Sequence, residues 1–210
     1  MLIRDAIIAV DDPGYWIARR VGPTRVMVTA TLAALVVALP SASFAQTASP
    51  PATALRDGSH DFDWEIGNWT TQLRYRPEPL TGSNRWLEYR GTSNVRAVLG
   101  GRANLVELSV EGASGRIEGM SLRLYNPQAR QWTLNFASVR NGLLTPPVTG
   151  AFDGNGLGTF YGQDTANGRT VLVRFVISDV TPNSAHFEQA FSADGGATWE
   201  PNWIAVDNKR

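Results

Sequence analysis

Two arginines interrupt runs that otherwise have the apolar character of β-strands. Arg123 stands in the run Ser-Leu-Arg-Leu-Tyr, and Arg174 stands in the run Leu-Val-Arg-Phe-Val. If either side chain faces the interior, its buried charge needs an anionic partner, which could be Glu107, Glu188 or the carboxylate of a ligand. If either faces solvent, it needs no such partner. The sequence leaves both orientations open for both arginines.

Glu107 and Glu188 are also candidates for a pair of acid–base carboxylates of the kind that glycosidases use. In that alternative the protein is an enzyme, and Arg123 or Arg174 holds an anionic substrate. The sequence gives no distance between the two carboxylates, and strand carboxylates pair more commonly with nearby arginines. No sequence resembling a nucleophile elbow is present, so the catalytic residues remain unknown.

Metal and haem chemistry have few candidate ligands. The two histidines, His60 and His186, could each ligate haem iron, but His60 borders a flexible linker and His186 begins a strand. Asp61, Asp63 and Glu65 could bind a cation, yet their spacing is typical of the start of a short helical turn exposed to solvent. We therefore interpret all five as surface residues and predict neither a metal nor a cofactor.

Composition excludes several classes of function. The 210 residues carry no net charge, which argues against a nucleic-acid partner, since phosphates require a clustered basic face. The absence of cysteine excludes disulfides, thiol nucleophiles and cysteine-ligated metals. Hydrophobic residues make up 43% of the chain and charged residues 18%, which is typical of a globular domain.

The first 45 residues have the pattern of an export signal. Arg19, Arg20 and Arg25 precede an apolar run at 26–39, and small residues at Ser43 and Ala45 form a cleavage site. We predict Sec-type export to the periplasm or medium, cleavage after Ala45, and no membrane span thereafter. An uncleaved anchor is the alternative. Residues 46–58 are predicted to be a flexible linker, and 59–210 a single domain.

The domain is predicted to be all-β. Residues 59–67 favour a short helical turn that plugs one end, and after Trp69 about ten short strands alternate with tight turns, including Asn-Gly hairpins at 141–142 and 167–168. This spacing predicts an antiparallel up-and-down meander closed into a barrel, which removes exposed edges. The run 120–125 places Met and Leu on one face and Ser, Arg and Tyr on the other, and the sequence leaves open which face points inward.

The region after residue 58 resembles an uncharacterised, mostly bacterial family of unknown function with a lipocalin-like (calycin) barrel. Gly67 and Trp69 match the G-x-W that opens such barrels, and the closing block at 187–203 is the most specific part of the resemblance. It implies a fold more than a function. No later lipocalin motif is clear, and no helix follows the last strand. The matching segments are 60–63, 67–69, 119–125, 131–132, 173–175, 187–192 and 194–203.

Residues 192–199 also match the Asp-box pattern of sialidase-like propellers. A propeller needs several copies, and this chain has one. We therefore interpret Asp194, Gly196 and Trp199 as structural, with the aspartate bracing a hairpin turn.

A binding protein is the favoured function, with a small, partly apolar ligand in the barrel mouth. The alternatives are the enzyme described above and a carbohydrate-binding or envelope-interaction module that uses exposed tryptophans such as Trp86. The oligomeric state is left open. The candidate ligand-binding residues are Glu107, Arg123, Arg174, Glu188, Gln189 and Asn202.

Overall fold

The structure, a computed structural model, describes residues 56–210. The predicted leader and residues 46–55 of the predicted linker lie outside this range. Almost all of the described chain is strand, and the two helical elements are single 3-10 turns. The strands are β1 Gly67–Tyr75, β2 Leu87–Val98, β3 Ala103–Gly112, β4 Gly115–Asn126, β5 Gln131–Ser138, β6 Leu143–Leu144, β7 Val148–Phe152, β8 Gly158–Ala166, β9 Arg169–Ser178, β10 Ser184–Ser192 and β11 Glu200–Lys209, and the 3-10 turns are Asp63–Glu65 and Leu99–Gly101.

The strands form one closed antiparallel barrel. Consecutive strands pair with each other, except β6 and β7, and β1 pairs with β11 to close the ring. The short strands β6 and β7 both pair with β5 and share one position, so the barrel has ten strands. Between them lie Pro146 and Pro147, which have no N–H to give to the ladder. The predicted all-β barrel of about ten strands is confirmed.

The turns at two hairpins follow from their residue types. Asn167 and Gly168 both have positive φ, 52° and 73°, as the type I′ turn between β8 and β9 requires. At the β10–β11 turn, Asp194 accepts from the Ser192 hydroxyl at 2.7 Å and from the Thr198 N–H at 2.9 Å. These donors hold the pKa of the Asp194 carboxyl well below its usual range. The β10–β11 turn is thus braced by its own side chains.

One end of the barrel, the closed end, is filled by the segment that precedes β1. Residues 59–62 form turns, Asp63–Glu65 form the 3-10 helix, and the Phe62 ring is buried. Its centroid lies 4.9 Å from that of Trp132 and 5.0 Å from that of Phe152, both edge-on. The Trp132 indole also donates to the Gly58 carbonyl at 2.8 Å. Aromatic packing therefore joins this segment to the barrel floor.

The start of β1 is fixed by Gly67 and Trp69. Gly67 has φ +132°, which side-chain-bearing residues rarely adopt. Trp69 is completely buried, and its indole donates to the Glu65 carbonyl at 2.6 Å.

No helix in the described part of the chain has the length and apolar character that a bilayer span requires.

Register decides which side chains enter the barrel. On β4 the face that carries Arg123 points inward, because Arg123 pairs with buried Leu134 of β5. The Met and Leu residues of β4 face outward, and Leu124 is 38% exposed. On β9 the apolar set that includes Val173 points inward, so Arg174 lies on the outside. The two arginines that look alike in sequence face opposite sides of the wall.

Candidate functional site

The barrel contains a cavity of about 500 Å³. It reaches solvent beside Pro146, Thr165 and Asn167, which are exposed, and this defines the open end. Its inner limit is formed by Glu65, Arg123 and other buried polar groups near the closed end. Apolar and aromatic side chains line the space between, among them Tyr75, Val106, Leu108, Leu134, Phe136, Val173, Phe175, Phe187, Phe191 and Trp203.

A buried ion pair marks the inner limit of the cavity. The guanidinium of Arg123 on β4 binds both carboxylate oxygens of Glu65, with one contact, Nη2 to Oε1, of 3.0 Å. Both side chains are almost completely buried. The Arg123 guanidinium also lies 4.4 Å above the Phe62 ring centroid. Burial lowers the pKa of Arg123 from 12.5 to about 9, against the opposing charge of Asp207, so the group stays protonated at neutral pH.

Asp207 is a second buried carboxyl at this inner limit. It lies on β11 opposite Thr71 of β1, it is 4% exposed, and it lines the cavity. Burial raises its pKa from 3.8 to about 6, although the Thr71 and Ser93 hydroxyls and the Arg123 charge act in the opposite direction. Its Oδ1 has no hydrogen-bond partner among residues 56–210. A carboxyl whose pKa is raised by burial therefore faces the cavity.

Two amides lie on the cavity wall between the ion pair and the open end. Gln189 of β10 donates to Asn202 of β11 at 3.4 Å, and both line the cavity. The register between the strands shifts after Gln189, where the chain forms a bulge. Because of this shift, the neighbours Asn202 and Trp203 both contribute to the lining. The bulge thus places an amide and an indole side by side in the wall.

The loop 76–86 between β1 and β2 runs beside the open end. Pro77 and Pro79 line the cavity, and the Asn167 side chain donates to the Pro79 carbonyl at 2.8 Å. Glu200 accepts from the Leu80 N–H at 2.6 Å and pairs with Arg76 at 3.0 Å. These bonds connect the loop to the β8–β9 turn and to β11, so the rim of the cavity is held from several sides.

Three of the six candidate ligand-binding residues line the cavity: Arg123, Gln189 and Asn202. The other three, Glu107, Arg174 and Glu188, lie on the outer wall and do not line the cavity. Glu107 is exposed and pairs in register with Asn94. Arg174 lies 3.9 Å from Glu188 and stacks over Trp199 at 4.8 Å. Glu107 and Glu188 therefore do not face a common substrate in the cavity.

Of the candidate metal or haem ligands, Glu65 lines the cavity, whereas the two histidines, Asp61 and Asp63 lie away from it. His60 is 82% exposed and bonds to Asp63, whereas Asp61 pairs with Arg56. His186 lies on β10 with its Nδ1 3.3 Å from the Ser178 hydroxyl. Within residues 56–210, no group of three or more His, Cys, Asp or Glu side chains is arranged to hold a metal ion.

Trp86 is half-buried rather than free in solvent. The guanidinium groups of Arg74 and Arg76 each lie 4.8 Å from the centroid of its ring. The two arginines therefore already stack on the ring that a carbohydrate-binding or envelope-interaction module would present to its partner.

The sequence interpretation missed the partner of Arg123. Glu65 was assigned to solvent on the basis of its position in a turn, but it is 1% exposed. Asp207 was not among the candidate residues, but it lies within β11, which continues to Lys209. Alternation from Trp203 through Ala205 to Asp207 is the signal that could have found it.

No protein-family model matches the chain, and no curated protein matches it. Among solved structures, it is similar to the S-type phycobiliprotein lyase CPES from Guillardia theta, with a TM-score of 0.52 and 10% identity over 74% of this chain and 94% of that one. At this identity the likeness shows the barrel fold alone. A de novo designed fluorescence-activating β-barrel and EF1p2_mFAP2b, solved with DFHBI bound, give TM-scores of 0.38 and 0.41 at 13% and 7% identity. The match to the designed barrel covers 74% of this chain and 100% of the barrel. The match to EF1p2_mFAP2b covers 73% of this chain and 99% of that one.

Proposed function

We propose that this chain is a lipocalin-like barrel that binds a small, partly apolar molecule in its cavity. The observation that supports this most directly is the cavity itself, about 500 Å³ with apolar walls and a few polar groups at its inner limit. Pockets for small molecules have this size and this mixture of surfaces. A ligand would place its apolar body against the aromatic wall and its polar end toward Asp207 and Asn202.

The packing of the barrel supports a preformed site. Phe62 and the Glu65–Arg123 pair fill the closed end, and the loop 76–86 is hydrogen-bonded beside the open end. A cavity held between two fixed ends needs little rearrangement to accept a ligand, which reduces the entropic cost of binding.

We further propose that the protein works outside the cytoplasm as an exported member of an uncharacterised bacterial family. The support is the sequence pattern at 1–45, with its basic, apolar and small-residue regions, and the resemblance described for the region after residue 58. On this proposal, residues 46–58 link the cleavage site to a barrel domain that comprises 59–210.

The binding proposal is tested by filling the cavity. Ser121 lines it, opposite Phe136 of β5, so Ser121→Phe places a ring in the space that a ligand would occupy. We expect the affinity for N-phenyl-1-naphthylamine, a neutral fluorescent probe with an apolar body, to fall about tenfold or more, measured by fluorescence titration.

Ser109→Phe is the matched control, because Ser109 lies on the outside of the neighbouring strand β3 and bonds there to Glu118. This variant should keep the wild-type affinity. If the probe does not bind the wild-type barrel, or if it binds both variants equally well, the proposed site is wrong.

A further inference from the structure

The inner limit of the cavity carries three ionisable groups, and only two of them neutralise each other. Glu65 and Arg123 form a two-contact ion pair. Asp207 lines the same part of the cavity and is 4% exposed. When Asp207 is ionised, this buried region therefore has a net charge of one negative unit. In surroundings of low polarity such a charge attracts cations and repels anions strongly.

Asp207 also has an acceptor that the protein leaves unused. Its Oδ1 makes no hydrogen bond to any residue in 56–210. The nearby hydroxyls of Thr71 and Ser93 bond to each other at 2.7 Å, and although both act on the Asp207 carboxyl, neither donates to Oδ1. A buried carboxylate oxygen without a donor is unfavourable, so a ligand that brings a donor to it gains free energy that other ligands do not.

Arg123 is a poor anchor for an anionic ligand, although it lines the cavity. Both of its terminal nitrogens contact Glu65. Its Nε is buried and has no hydrogen-bond partner within residues 56–210, but an anion placed there would meet the negative charges of Glu65 and Asp207. Binding at the terminal nitrogens would displace Glu65 and leave that carboxylate buried without its partner. The arginine in the cavity therefore does not indicate an anionic ligand.

We propose that the cavity selects molecules whose apolar body ends in a protonated amine, and that the Asp207 carboxylate binds the ammonium group. This inference rests on the proposed function. The aromatic side chains of Phe175, Phe187 and Trp203 contact the apolar body of the ligand, and the ammonium group donates to Oδ1 of Asp207.

The proposal implies a pH dependence. Burial raises the pKa of Asp207 to about 6, while Arg123 and the hydroxyls of Thr71 and Ser93 act to lower it. The other charged group on this part of the wall, Glu65, is held by Arg123. An alkylamine keeps its proton up to a pH of about 10, so we assign the pH dependence of amine binding between pH 5 and 7.5 to Asp207. Amine affinity should fall about tenfold from pH 7.5 to pH 5 as Asp207 takes up a proton.

The test compares three ligands with one chain length and different head groups: decylamine, decanol and decanoate. Each is titrated into the folded wild-type protein by calorimetry and by displacement of N-phenyl-1-naphthylamine. At pH 7.5 we expect decylamine to bind about tenfold or more tightly than decanol, and decanoate to bind most weakly. Decanol affinity should not change between pH 5 and pH 7.5.

Asp207→Asn should reduce decylamine affinity to that of decanol and leave decanol affinity unchanged. Glu107→Gln is the matched control, since it also replaces a carboxylate by an amide but lies exposed on the outer wall, opposite Asn94. This control should keep the amine preference. The pH series on the wild-type protein tests the same role without any substitution.

The inference is overturned if decanoate binds as tightly as decylamine, or if Asp207→Asn retains the preference. In both cases binding of the fluorescent probe still supports the proposed function. If neither the probe nor any of the three ligands binds, the proposed function has failed together with this inference. The two failures are therefore distinguishable.

Discussion

The two ends of the barrel are built from similar aromatic residues that serve different purposes. At the closed end, Phe62 packs edge-on against Trp132 and Phe152, with centroid distances of 4.9 and 5.0 Å. In the open half, Phe136 and Trp203 are also edge-on, at 6.2 Å, but both are half-buried and line the cavity. The difference arises because the segment before β1 inserts a ring at one end only. We infer that the closed end stabilises the fold and the open half shapes the cavity.

Buried polar groups lie at the boundary between these two regions. Glu65 and Arg123 satisfy each other, whereas Asp207 faces the cavity with an unused acceptor. The two regions therefore also differ in their electrostatics. On the closed side the charges are paired, and on the cavity side one charge is held at a cost in stability, which is a common property of binding sites.

The largest effect is expected from breaking the buried pair at the closed end. Arg123→Met leaves the Glu65 carboxylate buried without its partner, so we expect unfolding free energy to fall by about 4 kcal/mol. Urea denaturation at pH 7.5 measures this change.

Two control variants separate the loss of pairing from the loss of packing. Arg174→Met removes an arginine from the outer wall, where its pair with Glu188 is partly exposed, and should cost at most about 1 kcal/mol. The double variant Glu65→Leu with Arg123→Met should recover most of the lost stability, because no unpaired charge remains. A double variant as unstable as Arg123→Met alone would contradict the role of the ion pair.

The next largest loss of stability is expected when a phenylalanine of the closed end is removed, and it can be compared with the loss at a phenylalanine of the open half. Phe62→Ala removes a fully buried ring from the closed end and should lower stability by about 3 kcal/mol. Phe136→Ala removes a half-buried ring from the cavity wall and should cost about 1 kcal/mol while changing probe affinity. Urea denaturation and probe titration of both variants test whether the closed end stabilises the fold while the open half shapes the cavity. Equal losses of stability would show that the open half stabilises the fold as much as the closed end does.

Much of the barrel could be predicted from sequence because its signals are local. Alternation marks the strands, and Asn167-Gly168 supplies the two positive φ angles of a hairpin. The short strand β6 at Leu143–Leu144 was not predicted, because the two prolines after it separate it from β7. Whether a segment forms a strand depends mainly on the pattern of a few neighbouring residues, and a single sequence shows that pattern.

The site could be predicted only in part, because it depends on contacts between distant segments. Arg123 and Arg174 have the same local pattern, yet only register against β5 and β10 places the first inside and the second outside. Glu65 reaches Arg123 across 58 residues of sequence, and no local pattern shows such a pair. Asp207 enters the cavity because β1 and β11 pair to close the ring. Closure is a property of the whole chain, and the sequence of one strand does not show it.

The smallest change in unfolding free energy is expected at Asp207, the single unpaired charge at the boundary between the two regions. The folded-state pKa of Asp207 is raised from 3.8 to about 6, so the folded protein binds this proton more tightly than the unfolded chain does. Stability from this group should therefore fall as pH rises from about 4 to 6 and remain level above that.

Asp207→Asn removes this penalty, and at pH 7.5 we expect the variant to be about 1 to 2 kcal/mol more stable than the wild type. Below pH 4 the two proteins should converge, as urea denaturation across this pH range would show, and Glu107→Gln on the exposed outer wall should match the wild type at pH 7.5. A variant less stable at pH 7.5 would mean that Asp207 stabilises the fold as the closed end does. A more stable variant that has lost its amine preference would show that Asp207 favours binding at the expense of stability.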